Sequence, residues 1–187
     1  MILEELKQYK SPKDRLARMV ADKQYFPIVR GLYETNPNTP PYLLAASIYG
    51  PSYISFDYAL SYYGLIPEKA LAVTSATFEK KKAKRHITPF GVFMYRDVPS
   101  AAFPLAVNTH QEGDYYYRIA SKEKALCDKL FTLSPVPNQR MLKVLLLEDL
   151  RIEEEALAEL DTGLIEKLST KYKSTNVRRL TSLLKRR

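Results

Sequence analysis

SPKDRLARMVADKQYFPIVRGLYE, residues 11–34, is the segment on which our prediction of the fold depends. Ser11 can cap a helix, Pro12 suits the first helical position, and Asp14 lies in the positively polarised first turn. The second half of the segment is rich in β-forming residues and is broken by Gly31, which is typical of a hairpin. We therefore predict a short helix followed at once by a small β-hairpin, and we call this segment the helix–hairpin unit.

The helix–hairpin unit matches the second half of a winged helix-turn-helix. In that fold a helix enters the major groove of DNA and the hairpin braces the phosphate backbone. Leu16, Met19, Val20 and Lys23 follow a helical spacing on one face, which leaves the arginines of the helix on the other side. The alternative is a small helix and hairpin that pack on the body and expose solvated charges. The residues that we predict to contact DNA are Lys13, Arg15, Arg18, Lys23 and Arg30.

Three prolines within residues 35–41 mark the end of this unit and the start of a second region. Beyond them, helical patterns and strand patterns follow one another up to about residue 120, and the last third of the chain is helical. We expect an α+β protein in which a truncated winged helix-turn-helix unit, residues 1–35, precedes a mixed domain, residues 36–187. In that domain we expect a small β-sheet covered by helices on one side, followed by a C-terminal helical part.

The chain of 187 residues carries 29 Lys and Arg against 21 Asp and Glu, a net charge of +8. The excess lies at two places, around residue 80 and in the C-terminal tail, which predicts polyanionic partners such as nucleic acid or an acidic protein surface. Solvated surface charge is the alternative for both clusters. The candidates for polyanion or partner binding are Lys80, Lys81, Lys82, Lys84, Arg85, Arg178, Arg179, Lys185 and Arg186.

Several function classes are disfavoured by the sequence. Its apolar runs are far shorter than a bilayer span, and the first residues carry acid where a secretory signal carries base. A single cysteine, Cys127, cannot form an internal disulfide and is predicted to be a packed thiol. His86 and His110 have no neighbours at zinc-ligand spacing. We therefore expect a cytoplasmic protein without membrane contact, metal or cofactor.

One pattern suggests catalysis, namely Glu79-x-Lys81 with Asp57 upstream. Many nucleases hold a divalent ion with Asp and Glu-x-Lys, which requires the carboxylates to converge on that ion. Asp57 falls at a predicted helix start, and the Glu-x-Lys lies within a run of charges. We therefore expect no enzyme, and a metal-dependent nuclease is the less favoured alternative.

Residues 49–68, YGPSYISFDYALSYYGLIPE, form a tyrosine-rich stretch that we interpret as a helix–turn region. Its rings bring large apolar faces with polar tips, so it is either a core helix whose hydroxyls reach the surface or a protein interface. This stretch also resembles the signature of the AbiEi family of antitoxins, from bacterial abortive-infection toxin–antitoxin pairs. Residues 11–33 are similar to the helix and wing of that family. Residues 73–77, 88–91 and 95–96 resemble its central strands, and residues 119–128 the helix that follows.

The resemblance covers nearly the whole chain and implies a winged-helix DNA-binding domain joined to a larger antitoxin domain. It implies repression of the protein's own operon and counteraction of a toxin of the nucleotidyltransferase class, so operator DNA and that toxin are the expected partners. Only one short helix precedes Ser11, whereas a complete winged helix has more, and a homodimer is one way in which the shortened unit could dock in a groove. A protein-interaction module without DNA binding is the alternative function.

Overall fold

The computed structural model describes residues 6–186, and this range folds into an α+β structure with eight α-helices, a two-stranded sheet and a six-stranded sheet. The predicted fold class is therefore confirmed. The helices are α1 Pro12–Ala21, α2 Pro41–Ile48, α3 Phe56–Tyr62, α4 Lys122–Thr132, α5 Gln139–Val144, α6 Glu154–Ala158, α7 Thr162–Tyr172 and α8 Thr175–Leu184. The strands are β1 Phe26–Val29, β2 Leu32–Glu34, β3 Tyr53–Ile54, β4 Ala72–Thr77, β5 Lys84–Thr88, β6 Gly91–Asp97, β7 Val107–Glu112 and β8 Tyr115–Ala120.

The helix and hairpin of residues 11–34 form as predicted, with α1 followed by the antiparallel pair β1–β2. Val29 pairs with Leu32, so Arg30 and Gly31 form a two-residue turn. Gly31 has a left-handed φ of 84°, which glycine adopts without the penalty that a Cβ atom imposes. The hairpin also attaches the unit to the body, because Ile28 is buried in the main core and Val29 and Leu32 pack against it.

Two helices, α1 and α2, begin at a proline and lack a side-chain cap, and α1 begins where it was predicted. Ser11 occupies the N-cap of α1, yet its hydroxyl donates to the Asp14 carboxylate at 2.6 Å and accepts no backbone N–H. Pro40, not Thr39, is the N-cap of α2, and Thr39 is buried without a capping bond. In both cases the proline near the helix start fixes the backbone, because its ring holds φ near the helical value.

The six-stranded sheet has the order β5-β6-β4-β3-β8-β7, with the pairs β4–β6 and β3–β8 parallel. Its central strand β3 consists of Tyr53 and Ile54, which the sequence analysis placed in a helix–turn region. The interpretation is wrong for these two residues, whereas Phe56–Tyr62 of the same stretch forms helix α3. Two residues are too few to show the alternation of apolar and polar side chains that is typical of a strand. Tyr53 and Ile54 are extended because they pair with β4 on one side and β8 on the other.

Helices cover both faces of this sheet, whereas the sequence predicted helices on one side. Side chains of successive strand residues point to opposite faces. On one face the Tyr95 hydroxyl donates to the Ala45 carbonyl of α2 at 2.7 Å. The side chain of Tyr53 lies on the opposite face, and its hydroxyl donates to Asp128 of α4 at 2.9 Å.

The predicted C-terminal helical part is built by α4 to α8, with one π-helical turn at Leu145–Asp149 after α5. Asn176 in the first turn of α8 is buried and fixes the loop that follows α4. Its side-chain carbonyl accepts the Val136 N–H at 2.9 Å, and its amide donates to the carbonyls of Leu130 and Ser134 at 3.2 and 3.0 Å. One side chain therefore supplies the hydrogen-bond partners of these backbone groups and connects α8 to the body.

Candidate nucleic-acid interface

The helix–hairpin unit exposes four of its five candidate cations, with Lys13 and Arg18 on α1, Lys23 beyond the end of that helix, and Arg30 in the hairpin turn. The unit contains three acidic residues, Asp14, Asp22 and Glu34. Glu34 is buried, and its Oε1 accepts the backbone N–H groups of Thr35 and Asn36 at 2.7 and 3.1 Å. With this carboxylate withdrawn from the surface, four exposed cations stand against two exposed carboxylates, those of Asp14 and Asp22, so the outward charge of the unit stays positive.

Arg15 differs from the prediction that it points away from the body. Its side chain is half-buried, and the guanidinium lies over the ring of Tyr9 at 5.2 Å from the ring centroid. Its Nε is buried without a hydrogen-bond partner among the described residues. Stacking on a tyrosine face is favourable for a guanidinium, so Arg15 packs the segment before α1 onto this helix. It is less available to DNA than Arg18.

Lys23 also lies differently from its predicted place on the apolar face of the helix. Helix α1 ends at Ala21, and Lys23 has a left-handed φ of 57°. Its backbone N–H donates to the Val20 carbonyl at 3.1 Å, which closes the helix end. The side chain is exposed, and a cation at a helix C-terminus is favoured by the helix dipole. Lys23 therefore remains a surface cation, but one that follows the helix.

The basic run, residues 79–86, leads into the edge strand β5 and is mostly exposed. Lys80 is the exception among its lysines. Its Nζ donates to the Gly50 carbonyl at 3.1 Å and lies 5.2 Å from the ring centroid of Tyr49. The side chains of the other candidates, Lys81, Lys82, Lys84 and Arg85, are exposed. Charges along an edge strand also protect it against pairing with other chains.

The four candidates near the C-terminus divide into two pairs. Arg178 and Arg186 are exposed. Arg179 is half-buried and donates through Nη2 to the Pro137 carbonyl at 2.7 Å. Lys185 forms an ion pair with Glu166 of α7 at 2.5 Å. Arg179 and Lys185 therefore hold α8 in place, which the pattern of a basic helix face did not predict.

A cluster of buried polar side chains, which we call the buried network, lies between the sheet and α4 and was missed by the sequence analysis. At its centre the Lys124 ammonium lies 2.8 Å from Asp128 Oδ1, and both side chains are fully buried. Asp128 Oδ2 accepts the hydroxyls of Tyr53 and Ser55 at 2.9 and 2.6 Å. Tyr172 of α7 accepts from Lys124 and donates to Asp128.

The electrostatics of the buried network follow from its burial. Burial lowers the pKa of Lys124, because the charged ammonium loses water, and the Asp128 carboxylate opposes this effect. Burial also raises the pKa of Tyr53 and of Tyr172, and the charge of Asp128 adds to that shift. The residues come from the tyrosine-rich stretch 49–68, from α4 and, with Tyr172, from α7. A lysine and an aspartate four residues apart in a helical pattern were the only signal for it in the sequence, and such pairs usually lie on the surface.

The residues of the catalytic alternative are placed in different surroundings. Asp57 forms an ion pair with Lys129 at 2.6 Å. Glu79 accepts the Ser100 hydroxyl at 2.9 Å. Within residues 6–186, no group of three or more His, Cys, Asp or Glu side chains is arranged to hold a metal ion. Cys127 is buried, and burial raises the pKa of its thiol, so the packed thiol predicted from the sequence is confirmed.

Comparison with models of protein families found no match to the chain, and comparison with curated proteins found none either. Over residues 6–186, none of the helices combines the length and the apolar character that crossing a bilayer requires. The site is therefore interpreted from its own geometry and charge.

Proposed function

We propose that the protein is a DNA-binding antitoxin of the AbiEi type, which represses its own operon and counteracts a toxin of the nucleotidyltransferase class. The observation that carries the DNA-binding part is the outward positive charge of the helix–hairpin unit. Lys13, Arg18, Lys23 and Arg30 are exposed, while the carboxylate of Glu34 is turned inward. The antitoxin part is supported by the resemblance of the ordered sequence blocks.

The dimensions of the unit suit a DNA groove. The ten residues of α1 give a helix of about 15 Å, which can lie in a major groove about 12 Å wide. Arg18 is the arginine of α1 that remains exposed, and Arg30 occupies the tip of the hairpin. An arginine can bond phosphate oxygens or a guanine edge with its planar fork. In this proposal α1 enters the groove and the hairpin tip contacts the flanking backbone.

The toxin-directed part of the proposal belongs to the larger domain. Its exposed cations, Lys81, Lys82, Lys84 and Arg85 along the edge of the sheet, would face an acidic surface of the toxin. Arg178 and Arg186 at the C-terminal helix are the second group that is free to do so. The buried network takes no part in contact, because its side chains are fully enclosed.

The DNA-binding proposal is tested by measuring the affinity for a duplex of the upstream promoter at several salt concentrations. The variant carrying Arg18→Gln and Arg30→Gln should weaken binding and reduce the slope of log K against log salt by about 1.8, which is about 0.9 for each phosphate that is no longer neutralised. Arg140→Gln is the matched control, because it removes an exposed arginine that lies outside the unit and outside the other basic clusters. Loss of sequence preference at constant slope would instead indicate base contacts. Unchanged binding by the double variant would contradict the proposal.

The antitoxin proposal is tested by co-expressing the full chain with the adjacent reading frame. Rescue of growth from a toxic neighbour is the expected result. A variant with Lys81, Lys82 and Lys84 changed to Glu reverses charge on the sheet edge while the core stays intact, so it should lose rescue if this edge faces the toxin. A neighbour that is not toxic, or that the full chain does not counteract, would contradict the antitoxin role.

The second candidate is a protein-interaction module that does not bind DNA. It is favoured by two exposed tyrosines on the larger domain, Tyr62 and Tyr116, which are 55% and 66% exposed. Tyrosine is enriched in the buried centres of protein interfaces. The salt-dependence experiment separates the two candidates, because a pure interaction module would show no promoter binding at low salt.

A further inference from the structure

A cleft of about 100 Å³ opens on the sheet face that α4 covers. Thr74, Met94 and Arg96 line it from β4 and β6, and parallel pairing of these strands puts the three side chains on one face. Phe56 and Asp57 at the start of α3 and Lys129 of α4 complete its walls. Four elements that are distant in sequence therefore meet around one small cavity.

The charges around this cleft are unequal. Lys129 Nζ lies 2.6 Å from Asp57 Oδ1, so these two groups balance each other. Arg96 is exposed at the cleft, and no described residue forms an ion pair with its guanidinium. Arg85 is the cross-strand partner of Met94, which puts its side chain on the same sheet face. The cleft therefore carries an excess of positive charge.

We propose that this cleft binds a phosphoryl group. The planar fork of Arg96 can hold two oxygens of an oxyanion, which is the geometry that arginine offers to phosphate. Lys129 is fixed by Asp57 but keeps further N–H donors, since an ammonium has three. The volume admits a few water molecules or one tetrahedral oxyanion. A side chain of a protein partner would be obstructed by the walls on several sides. This inference stands apart from the proposed DNA binding, because it uses no residue of the helix–hairpin unit.

The lining also limits what can enter besides the phosphoryl group. Phe56 is buried and Met94 is half-buried, so they form an apolar floor, and the cleft has room for the phosphoryl group but not for a base beside it. A divalent cation is disfavoured, because Arg96 repels it and the one carboxylate of the lining, Asp57, is already paired with Lys129. A phosphoryl group can come from a free nucleotide or from the backbone of bound DNA, and a titration with both kinds of probe distinguishes the two.

The test is a titration of the isotope-labelled full chain, followed by the chemical shifts of the backbone amides. The probes are inorganic phosphate, adenosine monophosphate, adenosine and a short DNA duplex. We expect the amides of Thr74, Met94 and Lys129 to shift with phosphate and with adenosine monophosphate but not with adenosine. Shifts that require the duplex would assign the phosphoryl group to DNA. No shift at these amides with any phosphate-bearing probe would overturn the proposal.

Arg96→Gln and Arg140→Gln form the matched pair of variants. Both arginines are exposed, and Arg140 lies on α5 outside the cleft. Arg96→Gln should weaken adenosine monophosphate about tenfold, the loss expected for one charge-assisted contact, and Arg140→Gln should leave the affinity unchanged. Equal weakening by both variants would overturn the proposal, since it would indicate nonspecific attraction. The variant carrying Arg18→Gln and Arg30→Gln should still bind adenosine monophosphate, so failure of DNA binding is distinguishable from failure of this site.

Discussion

Lys124 and Asp128 form an ion pair one turn apart on α4, 2.8 Å between Nζ and Oδ1, and neither side chain is accessible to solvent. The ammonium also lies over two tyrosine rings, 4.7 Å from the centroid of Tyr172 and 5.4 Å from that of Tyr53. Burial of two charges is costly, and it is sustained only when both are paired and hydrogen-bonded. This pair joins the central strand of the sheet, α4 and α7 through a single set of polar contacts.

Removal of one charge from this pair should be strongly destabilising. We expect Asp128→Ala to lower the free energy of unfolding by about 3–5 kcal/mol, because it leaves the Lys124 ammonium buried without a counter-charge. Chemical denaturation monitored by circular dichroism measures this decrease.

The control for this prediction removes both charges. The variant with Lys124→Met and Asp128→Ala should be more stable than Asp128→Ala alone, because no unpaired charge remains in the core. A double variant that is less stable than the single variant would show that the lysine contributes mainly through packing.

Stability should fall on the alkaline side. Burial raises the pKa of Cys127, Tyr53 and Tyr172 above their ordinary values of 9.0 for the thiol and 10.0 for the phenols. A raised pKa means that the folded state holds the proton more tightly, so this stability is present below the ordinary pKa and is lost as the pH rises beyond it. Lys124 has the opposite sign, because its pKa is lowered and its contribution grows as the pH approaches 10.5. Between about pH 9 and 10 the thiol and Lys124 oppose each other, and above about pH 10 the two phenols add to the effect of the thiol, so stability then decreases.

The measurement is the free energy of unfolding as a function of pH. Above about pH 10 it should fall, with a slope approaching about 1.4 kcal/mol per pH unit for each group that must stay protonated. Between about pH 9 and 10, Cys127→Ala should become more stable relative to the native chain as the pH rises, because it lacks the thiol that must stay protonated. A curve that is flat up to about pH 11 would contradict the prediction, as it would mean that these protons are held no more tightly in the folded state.

Arg15 and Arg18 should respond differently to substitution. Arg15 packs on Tyr9, so Arg15→Gln should loosen the segment before α1 and increase amide hydrogen exchange there. Arg18 is exposed, so Arg18→Gln should leave hydrogen exchange unchanged and reduce the salt dependence of DNA binding. The opposite assignment of the two effects would contradict the geometry.

Asn176 should be the most sensitive asparagine of the helical part. Asn176→Ala leaves the Val136 N–H and the carbonyls of Leu130 and Ser134 without this partner, and each unsatisfied buried group costs about 1–3 kcal/mol. Asn138→Ala provides the comparison, because Asn138 caps the exposed start of α5 by accepting the Met141 N–H and its removal should cost about 1 kcal/mol. Equal destabilisation of the two variants in thermal or chemical denaturation would contradict this ranking.

The order of helices and strands was largely predictable because its signals are local. The helix start at Ser11 and Pro12, the change of pattern after α1 and the break at Gly31 were each read from a few neighbouring residues. Strand β3 was not predictable, because it has two residues and depends on partners far away in sequence. The candidate DNA interface was predicted as a set of five cations, and the structure separates Arg15 from the four that are exposed.

By itself the sequence determined the α+β class, the helix–hairpin unit and the uneven positive charge, since propensity, turn residues and charge belong to the chain and need no distant contact. Only the tertiary structure decided which charges stay at the surface. The enclosed pair of Lys124 and Asp128, the inward turn of Glu34 and the cleft beside Arg96 all arise where elements far apart in sequence meet. Burial and the partners available there determine whether a charged side chain is exposed or paired, and neither is a property of the local sequence.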